Sequence, residues 1–212
     1  MQSDFVYLAS RSPRRQELLR QIGVEFRLLP PDDHVAAEAL EEPFAGEDPS
    51  VYVRRVVRAK LETALVRLAA AGLAPAPVLA ADTTVALGGT ILGKPANPAM
   101  AVAMLRRLSG RSHRGLTAVA LASAGRRRIV VNVSRVSFAR LTPAQIDDYV
   151  ATGEPFDKAG GYGIQGGAGA FVRRIEGSYS GIMGLPLYET ARMLRGVLAA
   201  APSDVVTGVR AP

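Results

Sequence analysis

The chain has 212 residues, 48% of them hydrophobic and 21% charged, with a formal net charge of +7 and no cysteine. That length and balance give a globular protein with a sizeable core, and the missing thiols exclude disulfides, thiolate catalysis and cysteine-bound zinc. No apolar run reaches the roughly 20 residues of a membrane span, and the opening MQSDFVYLAS lacks a basic stretch followed by a hydrophobic one, so a cytoplasmic protein is expected.

Residues 5–9 read as a short buried strand, and Pro13 suits the first position of a helix reaching about Gln21. Residues 24–29 give a second strand. The segment PPDDHVAAEALEEPFAGEDPS then predicts a loop with room for a helical turn, serving as a lid or the edge of a cleft. Asp48-Pro49 starts a long amphipathic helix closed by Gly72. PVLAADTTVALGGTILGKP predicts a hairpin turning at Gly88-Gly89. Asn97-Pro98 caps a helix ending near Ser109.

Two longer strands, RGLTAVALAS and RRIVVNVSRVSFA, meet around Gly125. In the second, the apolar parity switches between Val133 and Val136, which predicts a β-bulge. Thr142-Pro143 starts a helix that stops at Gly153. A glycine-rich loop over 160–169 leads to the strand AFVRRI, a turn, and a last helix from about Pro186. Strands and helices alternate without an internal repeat. The expected class is α/β, a mixed twisted sheet with flanking helices, in one domain over residues 1–200 with a flexible tail over 201–212.

Three stretches carry candidate chemistry. In YLASRSPRRQELL, Arg14 and Arg15 fall in the first helical turn, where the helix dipole is already positive. Either both point into water, or an anion uses them together with the free N–H groups and the hydroxyls of Ser10 and Ser12. The pattern is not a P-loop, because it lacks GxxxxGK[ST]. In AADTTVALGGTILGKP, Asp82 is placed at or near the exposed end of a strand, where a carboxylate caps a turn, ligates Mg²⁺ or orients a water. The hairpin folds Lys94 back toward it, so acid and base can meet.

The third stretch, EPFDKAGGYGIQGGAGAF, contains a formal GxGxxG from Gly161 to Gly166. A dinucleotide fingerprint needs a strand before it and a helix after it, and neither is expected here. What remains is a backbone loop able to lie against a ligand, with Gln165 offering the donor and acceptor that a nucleobase edge demands. Asp157-Lys158 reads as a structural ion pair. The chain has only three lysines, Lys60, Lys94 and Lys158, amid abundant arginine, which marks all three as candidate site residues. His113 is expected as a hydrogen-bonded loop residue, and His34 beside Asp32 and Asp33 is weak evidence for a metal.

The blocks SRSPRRQELL, ADTTVALGGTILGKP, LSGRSHRGLTAVAL, EPFDKAGGYGIQG and IEGSYSGIMGLPL, in this order, resemble the Maf family of nucleoside triphosphate pyrophosphatases, from about Phe5 to Leu194. The resemblance implies a fold like that of inosine triphosphate pyrophosphatases, two lobes around a cleft. It also implies hydrolysis of a nucleoside triphosphate to the monophosphate and pyrophosphate, with Mg²⁺ or Mn²⁺, in a homodimer. By the same resemblance Asp82 is the proton acceptor and a metal ligand. Arg14, Thr83 and Gln165 bear on substrate choice, and Ser10, Arg15, Lys60 and Lys94 line the phosphate cleft. The intact DKAGGYGIQG resembles the branch acting on dTTP and UTP, with house-cleaning of modified nucleotides as a possible role.

Two departures stand out. The acidic loop reads PPDDHVAAE, which leaves open whether Asp33 or Glu38 meets the metal, and Gly181 replaces a common Asn, which loosens its turn. Two rival readings remain at the sequence level. One is a non-catalytic, basic nucleic-acid-binding or cell-division regulatory protein; the other is a phosphatase releasing orthophosphate.

Overall fold

The computed structural model describes residues 3–29 and 39–199, and its architecture is set by one seven-stranded mixed sheet. Its strands are β1 (Val6–Leu8), β2 (Phe26–Leu28), β3 (Val78–Leu87), β4 (Thr90–Leu92), β5 (Ser112–Ser123), β6 (Arg126–Phe138) and β7 (Val172–Glu176). They run in the order β2-β1-β3-β5-β6-β7, with β4 also on β3. β1 lies parallel to β2 and β3, and the other pairings are antiparallel. The expected α/β class and mixed sheet are thus observed. The expectations for His34, Asp32, Asp33, Glu38 and the 201–212 tail lie outside the described residues.

β3 explains why a site forms here. One of its edges is paired with β5 from Val78 to Ala86. The other edge is shared by two short strands: β1 takes Val78 and Leu79, and β4 takes Val85 to Leu87. Between them, no strand of the described residues pairs with 80–84 on that side. The sheet is open at its centre.

Side chains alternate across this sheet with period two. Tyr7, Val78, Ala80, Leu116, Ala118 and Ala120 face one core, which is completed by helix α2 (Pro49–Ala70) through Val53, Val56, Val57, Leu61 and Ala64. Val6, Leu8, Leu79, Ala81, Val119 and Leu121 face the opposite core, against helices α1 (Pro13–Gln21) and α6 (Leu187–Leu194). A third core gathers helices α3 (Pro98–Leu108) and α4 (Pro143–Ala151) with the glycine-rich turns. The helix starts follow the sequence signals. Asp48 accepts from Ser50 and Val51 N–H, Asn97 accepts from Met100 N–H, and Thr142 with Gln145 forms a capping box.

Three expectations need correction. The parity switch in β6 is not a bulge, since its ladder with β5 runs unbroken from Ser112↔Ser137 to Ser123↔Arg126. Ile129 and Val131 pack toward α2, whereas Val136 and Phe138 pack toward the third core, so the cover changes sides while the strand does not. The only register shift in this strand is at Ser137/Phe138, opposite β7. The turn after β7 contains a short helix, α5 (Tyr179–Met183), capped by Ser178. Gly181 within it is held, not loose. Its N–H donates to Ser178 Oγ, its carbonyl accepts from Thr117 Oγ1, and a Cβ there would meet Asn132 Oδ1 at 2.6 Å. No helix among the described residues is long and apolar enough to cross a membrane.

Candidate active site

A cavity of about 1090 Å³ opens at the gap in β3, and Ser10, Arg14, Arg15, Lys60, Asp82, Thr83, Lys94 and Gln165 all line it. Sequence-predicted residues from five separate segments therefore meet at one place. Their arrangement follows from strand periodicity. Asp82 shares its face with Val78 and Ala80, toward α2, while Thr83 faces α1. The open edge lets groups from both faces of the sheet converge.

On the α2 face, Lys60 belongs to the buried stripe 53-56-57-60-61-64, so its stem is packed and its ammonium points at the sheet. Lys60 Nζ donates to Asp82 Oδ1 at 2.5 Å and to Glu41 Oε1 at 2.6 Å. Lys94 Nζ donates to the other Glu41 oxygen, Oε2, at 3.0 Å. Burial alone would favour neutral Lys60, but Asp82 and Glu41 outweigh it and its pKa lies above the ordinary lysine value. Burial likewise pushes the Glu41 pKa up, and Lys60 with Lys94 more than reverse this.

Two expectations change here. Asp82 is not at an exposed strand end; it sits in mid-strand and is 5% exposed, because the β-branched Thr83 and Thr84 and the long β5 ladder carry the strand through it. Lys94 does not pair with Asp82 across the hairpin. It pairs with Glu41, and Asp82 is met by Lys60.

On the other face, Arg15 donates from Nε to Gly184 O at 2.9 Å, from Nη1 to Ser10 Oγ at 3.2 Å and from Nη2 to Thr83 Oγ1 at 3.4 Å. All three acceptors are neutral. Burial lowers the Arg15 pKa, and the opposing attraction of Asp82 does not cancel it. Ser10 Oγ also accepts the Ser12 N–H, while the Ser12 side chain caps nothing. Arg14 lies 3.9 Å from Asp157 at the mouth, and Thr83 Oγ1 shares a hydrogen bond with Thr117 Oγ1 at 2.8 Å.

Lys158 reaches the cavity wall, but its ammonium is spent on Asp157 Oδ1 and Glu154 O, which is the structural ion pair expected. The glycine pattern has a packing reason. Tyr149 Oη donates to Glu154 Oε1, Gly163 N–H donates to Tyr149 Oη, and Gly167 N–H donates to Glu154 Oε2. A Cβ on Gly163 or Gly166 would collide with the Glu154 carboxylate. The loop is wound on a carboxylate, and the exposed Gln165 lines the cavity from it. His113 is in β5, not in a loop; its Nε2 bonds Tyr162 Oη at 2.7 Å and Nδ1 is buried without a partner.

Glu41 is the residue that sequence reasoning did not single out. It is one of several acids between 32 and 48, with no local pattern to set it apart. For a divalent cation, the chemistry of the donor set is the test. Mg²⁺ is commonly held by one or two carboxylates with phosphate oxygens completing the shell. Asp82 and Glu41 already share one cation, the Lys60 ammonium, and the described residues contain no cluster of three or more His, Cys, Asp or Glu that could hold a metal ion by itself. The residues fit a hard cation that is completed by phosphate.

The family model for Maf-like protein matches residues 5–197. The chain belongs to the Maf family. It is 58% identical over 194 residues to the dTTP/UTP pyrophosphatase of Polaromonas sp. (strain JS666 / ATCC BAA-500), covering 91% of this chain and 96% of that one. It is 57% identical over 192 residues to the dTTP/UTP pyrophosphatase of Cupriavidus pinatubonensis, with 91% and 96% covered. The dTTP/UTP pyrophosphatase of Ralstonia nicotianae is 60% identical over 190 residues, with 89% and 92% covered. Among solved structures, the dITP/XTP pyrophosphatase of Mycobacterium abscessus aligns over 64% of this Maf chain and 75% of its own, at 19% identity and a TM-score of 0.37.

Proposed function

We propose that this Maf protein hydrolyses dTTP and UTP to the monophosphate and pyrophosphate, a reading supported by its similarity to dTTP/UTP pyrophosphatases. The observation that carries the reading is the pairing, in one cavity, of a buried carboxylate with a guanidinium that, among the described residues, has only neutral hydrogen-bond acceptors. The triphosphate lies along Ser10, Arg14, Arg15 and the start of α1, where free N–H groups and the dipole favour anions. Asp82 gives Oδ1 to Lys60, and Oδ2 accepts no hydrogen bond from the described residues, so it is left to orient a water and take its proton. The water oxygen bonds to the α-phosphorus as the bond to the bridging oxygen breaks. Lys60 and Lys94 stabilise the charge that leaves with pyrophosphate.

Asp82 and Glu41 would hold Mg²⁺ or Mn²⁺, which when bound supplies charge neutralisation on phosphate oxygens. Gln165, Thr83 and Arg14 line the same cavity, and the choice among substrates is expected of them. A cytoplasmic homodimer completes the reading. The test is incubation with Mg²⁺ or Mn²⁺ and a panel of ordinary and modified triphosphates, with pyrophosphate resolved from orthophosphate. Equimolar monophosphate and pyrophosphate from dTTP and UTP is expected; orthophosphate as the product would overturn the reading.

A further inference from the structure

Glu41 enters the site from an irregular segment, yet its carboxylate spans two lysines. Something must hold its backbone. The hydrogen bonds supply the answer: three consecutive carbonyls are gripped from one face of α2. Arg55 Nη1 donates to Leu40 O at 3.3 Å, Tyr52 Oη donates to Glu41 O at 2.7 Å, and Arg55 Nη2 donates to Glu42 O at 2.8 Å. Arg55 is itself fixed by a two-pronged pair with Glu47, Nε to Oε1 and Nη2 to Oε2, both at 2.7 Å. Glu47 Oε2 also accepts the Phe44 N–H, and the Phe44 ring lies 4.1 Å from the guanidinium. Tyr52, Arg55 and Lys60 project from the same helix, so one rigid element sets both the Glu41 backbone and the ammonium that its side chain meets.

We infer that Arg55, with Tyr52, is a positioning residue for Glu41: it fixes the backbone so that the carboxylate is delivered to the divalent cation beside Asp82. This rests on the proposed role of Glu41 as a metal ligand. Neither Arg55 nor Tyr52 is required to touch the nucleotide. A planar fork is needed for the task, because a single ammonium cannot reach the carbonyls on both sides of Glu41 while keeping both Glu47 oxygens.

The experiment measures Mn²⁺ binding by electron paramagnetic resonance, with the full chain and non-hydrolysable α,β-imido-dTTP. Arg55→Lys should weaken Mn²⁺ about 10- to 100-fold, the usual cost of losing a group that orients a metal ligand, while the KM for dTTP at saturating Mn²⁺ stays within about twofold of the parent. In a Glu41→Gln background the same substitution should change Mn²⁺ affinity by less than about twofold, since there is no carboxylate left to position. Tyr52→Phe removes one donor and keeps the ring; it should give a smaller loss in the same direction, and it decides the matter if Arg55→Lys does not fold. Equal losses in both backgrounds, or a folded Arg55→Lys with parental affinity, overturn the inference and leave the metal reading intact. Parental Mn²⁺ affinity in Glu41→Gln alone overturns both.

Discussion

Lys60 and Asp82 stand 22 positions apart in the chain and meet at 2.5 Å, nitrogen to oxygen, with the lysine side chain 18% exposed and the aspartate 7%. A helix interior delivers the cation and a strand interior delivers the anion. Lys60→Met should therefore strand the Asp82 carboxylate and leave Glu41 with Lys94 alone, with a stability loss of about 3 kcal/mol. Urea melts measure it. Turnover of dTTP should fall by around 10²–10³-fold in whatever fraction remains folded. An unchanged melt would mean that the ammonium does not compensate Asp82 and Glu41.

Asp82→Asn keeps an acceptor for Lys60 and removes the base. Melting should be nearly unchanged, and kcat for dTTP should drop by roughly 10²–10³-fold, with the KM little altered. A folded variant turning over at the parental rate would remove Asp82 from the chemistry.

His113 gives a pH signature. Burial pushes its folded pKa down to about 4 from the ordinary 6.5. Between these values the unfolded chain carries a proton that the folded chain does not. The associated stability is complete above pH 6.5 and is lost as pH falls toward 4, up to about 3 kcal/mol in all. The facing hydroxyl of Tyr162 stays protonated throughout, since burial raises its pKa. His113→Gln should flatten the fall in urea midpoint between pH 7 and 4.5; a slope identical to the parent's would place the titration elsewhere.

Gly160 adopts φ +73°, and a Cβ there would lie 2.9 Å from Val85 Cγ1, three residues along β3 from Asp82. Gly160→Ala should cost on the order of 1–3 kcal/mol from backbone strain and overpacking together. Adding Val85→Ala removes the contacts with Cγ1 and Cγ2, leaves the Cβ contact at 3.0 Å, and does not relieve the strain. The double variant should then melt closer to Val85→Ala than two independent losses allow.

The helices and strands were legible because their signals are local: Asp48-Pro49, Asn97-Pro98 and Thr142-Pro143 each announce a start within a few residues. Lys60 and Lys94 stood out because lysine is scarce in this chain. Glu41 did not stand out, since its distinction lies in Arg55 and Tyr52 folding back over it from a helix that begins later. The central placement of Asp82 was missed for a similar reason. A polar Asp-Thr-Thr run looks like a strand end until β5 is known to continue past it. The β6 parity switch was seen, but which layer covers each half of a strand is a tertiary fact.

The break between β1 and β4 divides the labour along the cavity wall. Asp82 is riveted by the ladder along β5, so it cannot follow an incoming molecule. The groups that can adjust are those on long, more exposed stems, Lys94 and Arg14. In the proposed reaction the acid is an anvil, and accommodation to nucleotides of different size falls to the positive charges around it.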